Sequence, residues 1–341
     1  MIKRNEIQET PVHLPGTVWG ITTFFNPARY KNKSCIYHIF RESSKNQGLN
    51  LLTVELAFDN NSFELEKKDA DILIQLRTKK ENILWQKEAM LNIGLNKLPQ
   101  ECDKIVWLDC DIIFKNSNWI SETSKLLEKY SIIQPFQYCV RLSKGQQDLE
   151  DFELNQLVTD KKDININKSI VYSIFSEKED DFNNYSWPGY AWAGRKNIFD
   201  KIKFFDYGII GSGDQFMADA FTDNYPKYTM EIYSDEMKKK YIDWSINASK
   251  EINKSVSFTK GVILHLWHGE TKNRYYFDRH RSIGKLNFNP DLDLNKNDEG
   301  LWEISPNRSV LQKTLFLYFL ARNEEGTLKN FLLYKFVEFF K

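Results

Sequence analysis

Apolar positions in the first third of the chain fall into short dense runs, separated by longer stretches in which they recur every three or four residues. The runs TVWGITTFF (17–25), NLLTVELA (50–57), ADILIQL (70–76) and IVWLD (105–109) are short and rich in β-branched and aromatic residues, so they read as strands. Asn26-Pro27 ends the first, because the residue before a proline is pushed out of the helical region. Residues 30–48 read as a helix closing at Gly48. Residues 82–98 read as a second helix, with Leu84, Leu91, Leu95 and Leu98 in helical register, Ile83, Met90 and Gly94 beside them, and Pro99 as the stop. Strand and helix in alternation predict an α/β fold, a mostly parallel sheet with helices on its faces.

Further along, 118–129 reads as a helix, 131–141 as an extended piece and 261–268 (GVILHLWH) as another strand. Residues 142–184 are polar and acidic with no clear period, which predicts a long loop or insertion. Residues 185–195 are dense in glycine and aromatics, 204–221 run from turn into helix, and 228–258 are mixed. The end, 308–341, reads as two amphipathic helices separated near Gly326. The expected division is an α/β domain over 1–290 and a helical tail over 291–341.

Charge narrows the range of partners. With 47 basic and 47 acidic residues in 341, the chain lacks the basic field that a broad grip on nucleic acid needs. The four cysteines, Cys35, Cys102, Cys110 and Cys139, share no CxxC spacing and read as reduced thiols in a reducing compartment. The first residues carry no apolar signal core and no run is long enough to span a membrane, so a cytoplasmic location is expected. The tail helices favour packing onto the domain or a partner; the sharper alternative is peripheral contact with the inner face of a membrane that carries a lipid-linked acceptor.

The chemistry begins at IVWLDCDIIF (105–114), an apolar run interrupted by two acids. In open α/β sheets ligands bind beyond the carboxyl ends of the strands, and residues two apart in an extended segment point to the same side. Asp109 and Asp111 can therefore face one ligand as hard oxygen donors, suited to Mg²⁺ or Mn²⁺ bridging a diphosphate. Two solvated acids in a turn are the plainer alternative, weakened by the buried run around them. His265 and His268 stand three apart at the end of GVILHLWH. As imidazoles they favour Mn²⁺ over Mg²⁺, although His265 could simply pack against Trp267. Asp214 follows Gly211-Ser212-Gly213 before a helical pattern, where an acid is also an ordinary helix cap.

Taken in order, these stretches resemble the GT-A nucleotide-sugar transferases, and within them the β-1,4-galactosyltransferase and chondroitin-polymerase type. TTFFNPARY (22–30) is similar to the family's first nucleotide-binding strand, which implies donor contacts from Thr23, Phe24 and Asn26. WQKEAMLNIG (85–94) matches without a gap the family's FNRAKLLNVG, which gives Trp85 and Lys87 the places of the nucleotide-contacting aromatic and basic residues. Asn92 matches a family asparagine or serves helix packing. GYAWAGRKNIFDKIKFFDYGIIGSGDQF (189–216) resembles the glycine-rich segment leading to the family's GWGGEDDD, implying donor contacts at Gly189 and Trp192 and a general base at Asp214. HLWHGETKNRYYFDR (265–279) resembles the family's metal-histidine segment, with His265 in the place of a metal-binding Met and His268 in that of the His.

The resemblance implies an inverting, Mn²⁺- or Mg²⁺-dependent transfer of a hexosyl or N-acetylhexosaminyl unit from a UDP-sugar to a glycan or glycolipid hydroxyl, as in polysaccharide biosynthesis. The family's GWGGEDDD is IIGSGDQF here, so its acceptor is not inherited, and Phe25 replaces the arginine near the uracil. Glu55 either reaches the nucleotide or caps a loop. Trp187, Tyr190 and Trp192 either stack on a sugar or form core. Arg274 and Arg279 either touch phosphate or are surface charge. Competing functions are glycosylation of modified DNA bases, against which zero net charge counts, and nucleotidyl transfer, which would more often show a basic glycine-rich loop where TTFFNPARY stands. A non-catalytic glycan-binding relic is a fourth reading; the retained Asp109, Asp111, Asp214 and His268 argue against it.

Overall fold

The computed structural model of the chain describes residues 1–150, 166–176, 186–276 and 278–326. Much of the 142–184 stretch and the tail helix expected after Gly326 lie outside the described residues. Seven strands form the central sheet: β1 (Thr17–Phe25), β2 (Asn50–Phe58), β3 (Ile72–Thr78), β4 (Cys102–Leu108), β6 (Ile132–Gln134), β10 (Ala191–Arg195) and β11 (Val256–Phe258), in the order β11-β6-β10-β4-β1-β2-β3. β1 pairs in parallel with β2 and β4, β2 with β3, and β6 with β11. β10 alone runs antiparallel to both neighbours. β1 and β2 are buried almost end to end, the continuous apolar pattern required of strands covered on both faces. The expected mixed α/β architecture is therefore present.

The covering helices include α1 (Asn32–Asn46), α2 (Lys87–Leu95) and α3 (Trp119–Leu127). A second sheet holds β5 (Ile112–Phe114), β7 (Tyr138–Arg141), β8 (Ile166–Ser169), β9 (Ser186–Trp187) and β12 (Val262–His265), in the order β5-β12-β7-β8-β9. β8 and the helix after it, α4 (Ile170–Phe175), lie inside the stretch expected to be a loop. There the Ser169 hydroxyl caps α4 by accepting from the Tyr172 N–H (3.1 Å). α5 (Lys196–Ile202) and α6 (Gly213–Phe221) follow β10.

Two further expectations need correction. The mixed stretch 228–258 contains the longest described helix, α7 (Asp235–Ile252). Its signals are local: the Ser234 cap, acids at Asp235 and Glu236, buried Met237, Tyr241, Ala248 and Ile252 in helical register, and a left-handed Asn253 at the end. The consecutive lysines 238–240 dilute that pattern. Second, the helix expected over 82–98 is only 87–95. The residues before it run outside the helix because their side-chain amides receive the hairpin of β13 (Leu294–Lys296) and β14 (Trp302–Ile304). Gln86 donates to the Trp302 carbonyl (2.7 Å) and accepts from the Trp302 N–H (3.1 Å), while Asn82 accepts from the Ile304 N–H (3.0 Å).

The remaining described elements close over the same core. α8 (Asp278–Lys285) and α9 (Ser309–Ala321) complete the order. Leu301, Trp302, Ile304, Leu311, Leu315 and Phe319 belong to one cluster with Ile21, Leu52 and Leu91 of the sheet and α2. No helix among the described residues is long and apolar enough to cross a membrane.

Gln86 makes both bonds from a fully buried position. Gln86→Ala should lower unfolding free energy by about 1–3 kcal/mol, because it strands the Trp302 backbone groups in the core. Denaturant titration checks this, and an unchanged midpoint would mean that the hairpin docks without the amide.

Candidate active site

The site is built where one sheet hands over to the other. β4 ends at Leu108, but the Asp109 N–H still bonds the Tyr190 carbonyl (2.8 Å), extending the pairing with the β10 side. Two residues later the chain has joined the second sheet, and the Asp111 carbonyl accepts from the Leu266 N–H (2.8 Å). In the antiparallel β5–β12 pair, His265 lies opposite Ile112. That register sets the imidazole beside Asp111.

Among the described residues, Asp111, His265 and His268 form a group whose donor atoms all lie within 4.8 Å of one another. Asp111 Oδ2 is 3.0 Å from His268 Nε2, Asp111 Oδ1 is 3.8 Å from His265 Nε2, and the two Nε2 atoms are 3.0 Å apart. Adjacent ligands on an octahedral cation with bonds of about 2.1 Å stand about 3 Å apart, so the spacing suits a hard divalent ion. Asp111 Oδ1 is buried with no hydrogen-bond partner, an acceptor awaiting a charge. Burial holds the His265 imidazole down to about 3, so it is neutral and free to donate its lone pair. Burial works against the Asp111 carboxylate, but the two imidazoles and Arg274 outweigh it and pull its pKa down. Arg274 donates to the His268 carbonyl and approaches Nδ1, both at 2.7 Å, and pairs with Glu324 (2.9 Å). Glu324 Oε2 stands 3.8 Å from His268 Nδ1, on the side from which a carboxylate orients a ligating imidazole.

Asp109 is engaged differently. Its carboxylate pairs with the Lys87 ammonium at the start of α2, and its second oxygen accepts from the Tyr190 N–H (3.3 Å). Burial opposes the Lys87 charge, yet Asp109, Asp214 and Glu88 together push its pKa up. Asp214 lines the same cavity, of about 540 Å³, as Lys87 and the Asp111 triad. It is not the cap of α6. The capping position is Ser212, left-handed at φ 70°, and Asp214 is the second helical residue, its Oδ1 accepting from the Gln215 N–H (3.0 Å). Ser212 accepts from Arg279 and pairs with His280 Nε2 (3.0 Å), whose Nδ1 meets the Tyr233 hydroxyl (2.7 Å). Gly189 is needed for closeness: a Cβ there would lie 2.6 Å from Asp214 Oδ2.

Other expected residues stand elsewhere. Thr23 and Trp85 line the cavity. Phe24, the neighbour of Thr23 on β1, points to the opposite face and packs edge-on against Tyr37 in the core. Asn26 is consumed by its own turn, bonding the Tyr30 backbone and Glu64. Glu55 accepts from the Glu64 and Leu65 N–H groups and from Gln75, so of its two alternatives it holds the loop. Asn92 ties α2 to the Phe204 backbone. Trp192 stacks on Trp107 in the core and donates to the Pro188 carbonyl (2.6 Å), whereas Trp187 and Tyr190 line the cavity. Arg274 and Arg279 are buried at the site and are not surface charge.

Sequence reasoning missed three contributors. Arg322 lies over the Trp85 ring (5.0 Å from its centroid) and Phe319 stacks on the same indole (6.0 Å), so the residues after the hairpin form one wall. Glu324 is buried against Gly269, where a Cβ would lie 2.9 Å from the Glu324 Cα and the φ of +97° already favours glycine. The third is Glu88, buried and lining the cavity. Its one signal is an acid on an otherwise apolar helix face, KEAMLNIG.

No protein-family model and no curated protein matches the chain. Among solved structures, glucosyl-3-phosphoglycerate synthase from Mycobacterium tuberculosis, in complex with Mn²⁺, UDP and phosphoglyceric acid, is similar at 11% identity and a TM-score of 0.39, over 86% of this chain and 87% of that one. S. aureus TarS 1–349 is similar at 10% identity and a TM-score of 0.38, over 93% and 77%. At these scores neither likeness carries an argument about the site, which stands on its own residues.

If the triad binds a cation, millimolar Mn²⁺ should raise the melting temperature of the intact chain, and Asp111→Ala and His268→Ala should each remove that rise. A shift that survives both substitutions would place the ion elsewhere.

Proposed function

We propose that the chain is a GT-A type, metal-dependent glycosyltransferase that moves a sugar from a nucleotide donor, UDP-linked, to a hydroxyl of a glycan or lipid-linked glycan, with inversion at the sugar carbon. The observation that carries the reading is one cavity that holds both the Asp111–His265–His268 triad and Asp214, with the Lys87 ammonium paired to Asp109 on the same wall. The triad residues would hold Mn²⁺, which supplies charge neutralisation to a leaving diphosphate. Lys87 adds a fixed positive charge on the same wall. Asp214 accepts the proton of the acceptor hydroxyl as its oxygen attacks the anomeric carbon. Attack from the face opposite the diphosphate inverts that carbon. Trp187 and Tyr190, stacked with centroids 6.0 Å apart, offer an aromatic face to a sugar. A lipid-linked acceptor would bring the chain to the inner face of a membrane.

The test is a panel of nucleotide sugars, with and without Mn²⁺, scored for release of free nucleotide with water as acceptor. Mn²⁺-dependent release from a UDP-sugar is expected. Asp111→Ala should abolish it, and Asp214→Asn should lower it by about 10²–10⁴-fold while Mn²⁺ still binds. The anomeric proton signal of the first product should report inversion. Silence across the panel, with no nucleotide binding by calorimetry, removes the reading.

A further inference from the structure

Four acids, Glu88, Asp109, Asp111 and Asp214, line the cavity near Lys87. Asp111 belongs to the histidine triad, and the Lys87 ammonium contacts Asp109. Glu88 follows Lys87 on α2, and its carboxyl reaches the start of α6. A Cβ on Gly213 would overlap Glu88 Oε1, Cδ and Cγ, so the two elements touch there and a side chain at 213 would displace the Glu88 carboxyl. Gly213 directly precedes Asp214, which places Glu88 and Asp214 on one wall. The charged groups that face Glu88 are Lys87 on its own helix, Asp214 on α6 and Asp109 at the end of β4. The single cation among them is already engaged, and a further buried negative charge beside two carboxylates is costly.

We propose that Glu88 is a positioning residue: its neutral carboxyl holds the acceptor hydroxyl against Asp214 by donating a hydrogen bond to the hydroxyl oxygen. This rests on the function proposed above. The hydroxyl oxygen has two lone pairs. One accepts from Glu88, the other stays free for the anomeric carbon, and the hydroxyl proton goes to Asp214. Glu88 keeps its own proton throughout. Burial pushes the Glu88 carboxyl up to about 8, Asp214 and Asp109 add to the rise and Lys87 opposes it, so the group is neutral at neutral pH.

Two measurements test it, one without substrate. A carboxyl raised from the ordinary 4.5 to about 8 on folding takes up a proton, so the stability it contributes is full below 4.5 and is lost as pH rises to about 8. Wild-type melting temperature should therefore fall more steeply between these values than that of Glu88→Gln. Parallel profiles would mean an ordinary carboxylate and would overturn the proposal whatever the activity. In Mn²⁺-dependent donor hydrolysis, Glu88→Gln keeps a donor in place and should retain most of the rate. Glu88→Ala should lose about tenfold or more in kcat at unchanged donor KM. Gly213→Ala, which displaces the carboxyl without altering it, should lose as much. The wild-type rate should decline above about pH 8 and the Glu88→Gln rate should not. Glu88→Ala at the wild-type rate overturns the role. Absence of hydrolysis by wild type on every donor removes the function reading and the role with it, while the stability profiles still decide the state of the carboxyl.

Discussion

The turn Asp109–Cys110–Asp111 is shared by two sheets, and the hydrogen bonds that fix it come from both. The Asp109 N–H is held by Tyr190 beside the central sheet, and the Asp111 carbonyl by Leu266 just beyond β12 of the second sheet. The position of the histidines follows from this, since β12 pairs with β5 in a register that leaves His265 opposite Ile112. Asp111 and His265 are thus set by backbone pairing, and His268, beyond the strand, is held by Arg274 at its carbonyl. A slip of one residue in that register would turn the imidazole to the other face of the sheet.

The same turn concentrates charge on the half-buried wall of the cavity. Asp111 Oδ1 has no hydrogen-bond partner, Lys87 is paired with Asp109, and Glu324 is pulled well below the carboxylate range because Arg322, Lys33, His268 and Arg274 outweigh its burial. Buried charges of this kind seldom improve stability over apolar packing. They are the pattern expected where titratable groups are tuned for chemistry. The electrostatics and the cavity therefore point to the same residues.

What could be read in the sequence was what is local. β1, β2 and the end of β4 are continuous apolar runs, and the run at 105–114 is visibly interrupted by its acids, whereas β10 and β11 lie in stretches read as glycine-rich and as mixed. His265 and His268 were legible because three residues suffice to bring them together at the end of one strand. Thr23 and Phe24 were treated alike, although alternation along a strand lets only one of them face the cavity. Asn26, Glu55 and Asn92 carry polar groups that the backbone of nearby loops absorbs, and composition does not reveal which polar residue has such a partner. Glu88 was hidden for the opposite reason, being an acid that becomes buried and crowded only when the start of α6 arrives.

The least legible part is the wall built by residues 319–324. The Tyr30 hydroxyl donates to the carbonyls of Phe319 (2.9 Å) and Leu320 (3.1 Å), and the Asn32 amide to that of Glu324 (2.9 Å). These bonds join segments 289 to 292 residues apart, from the exit of the first strand to the last turn of α9 and the residues just after it. Through them Arg322 and Phe319 are pressed onto Trp85, and Glu324 onto Arg274 and the loop that carries His268. Any ligand entering the cavity beside Trp85 meets it together with Arg322, so that wall is a joint property of segments far apart in the chain. Contacts of such long sequence separation form late, since loop closure must precede them. The central sheet and its acids can therefore assemble before the cavity has its final wall. The Asp111–His265–His268 triad thus sits at the strand ends of the two sheets, while the wall beside Trp85 waits on the last described segment of the chain.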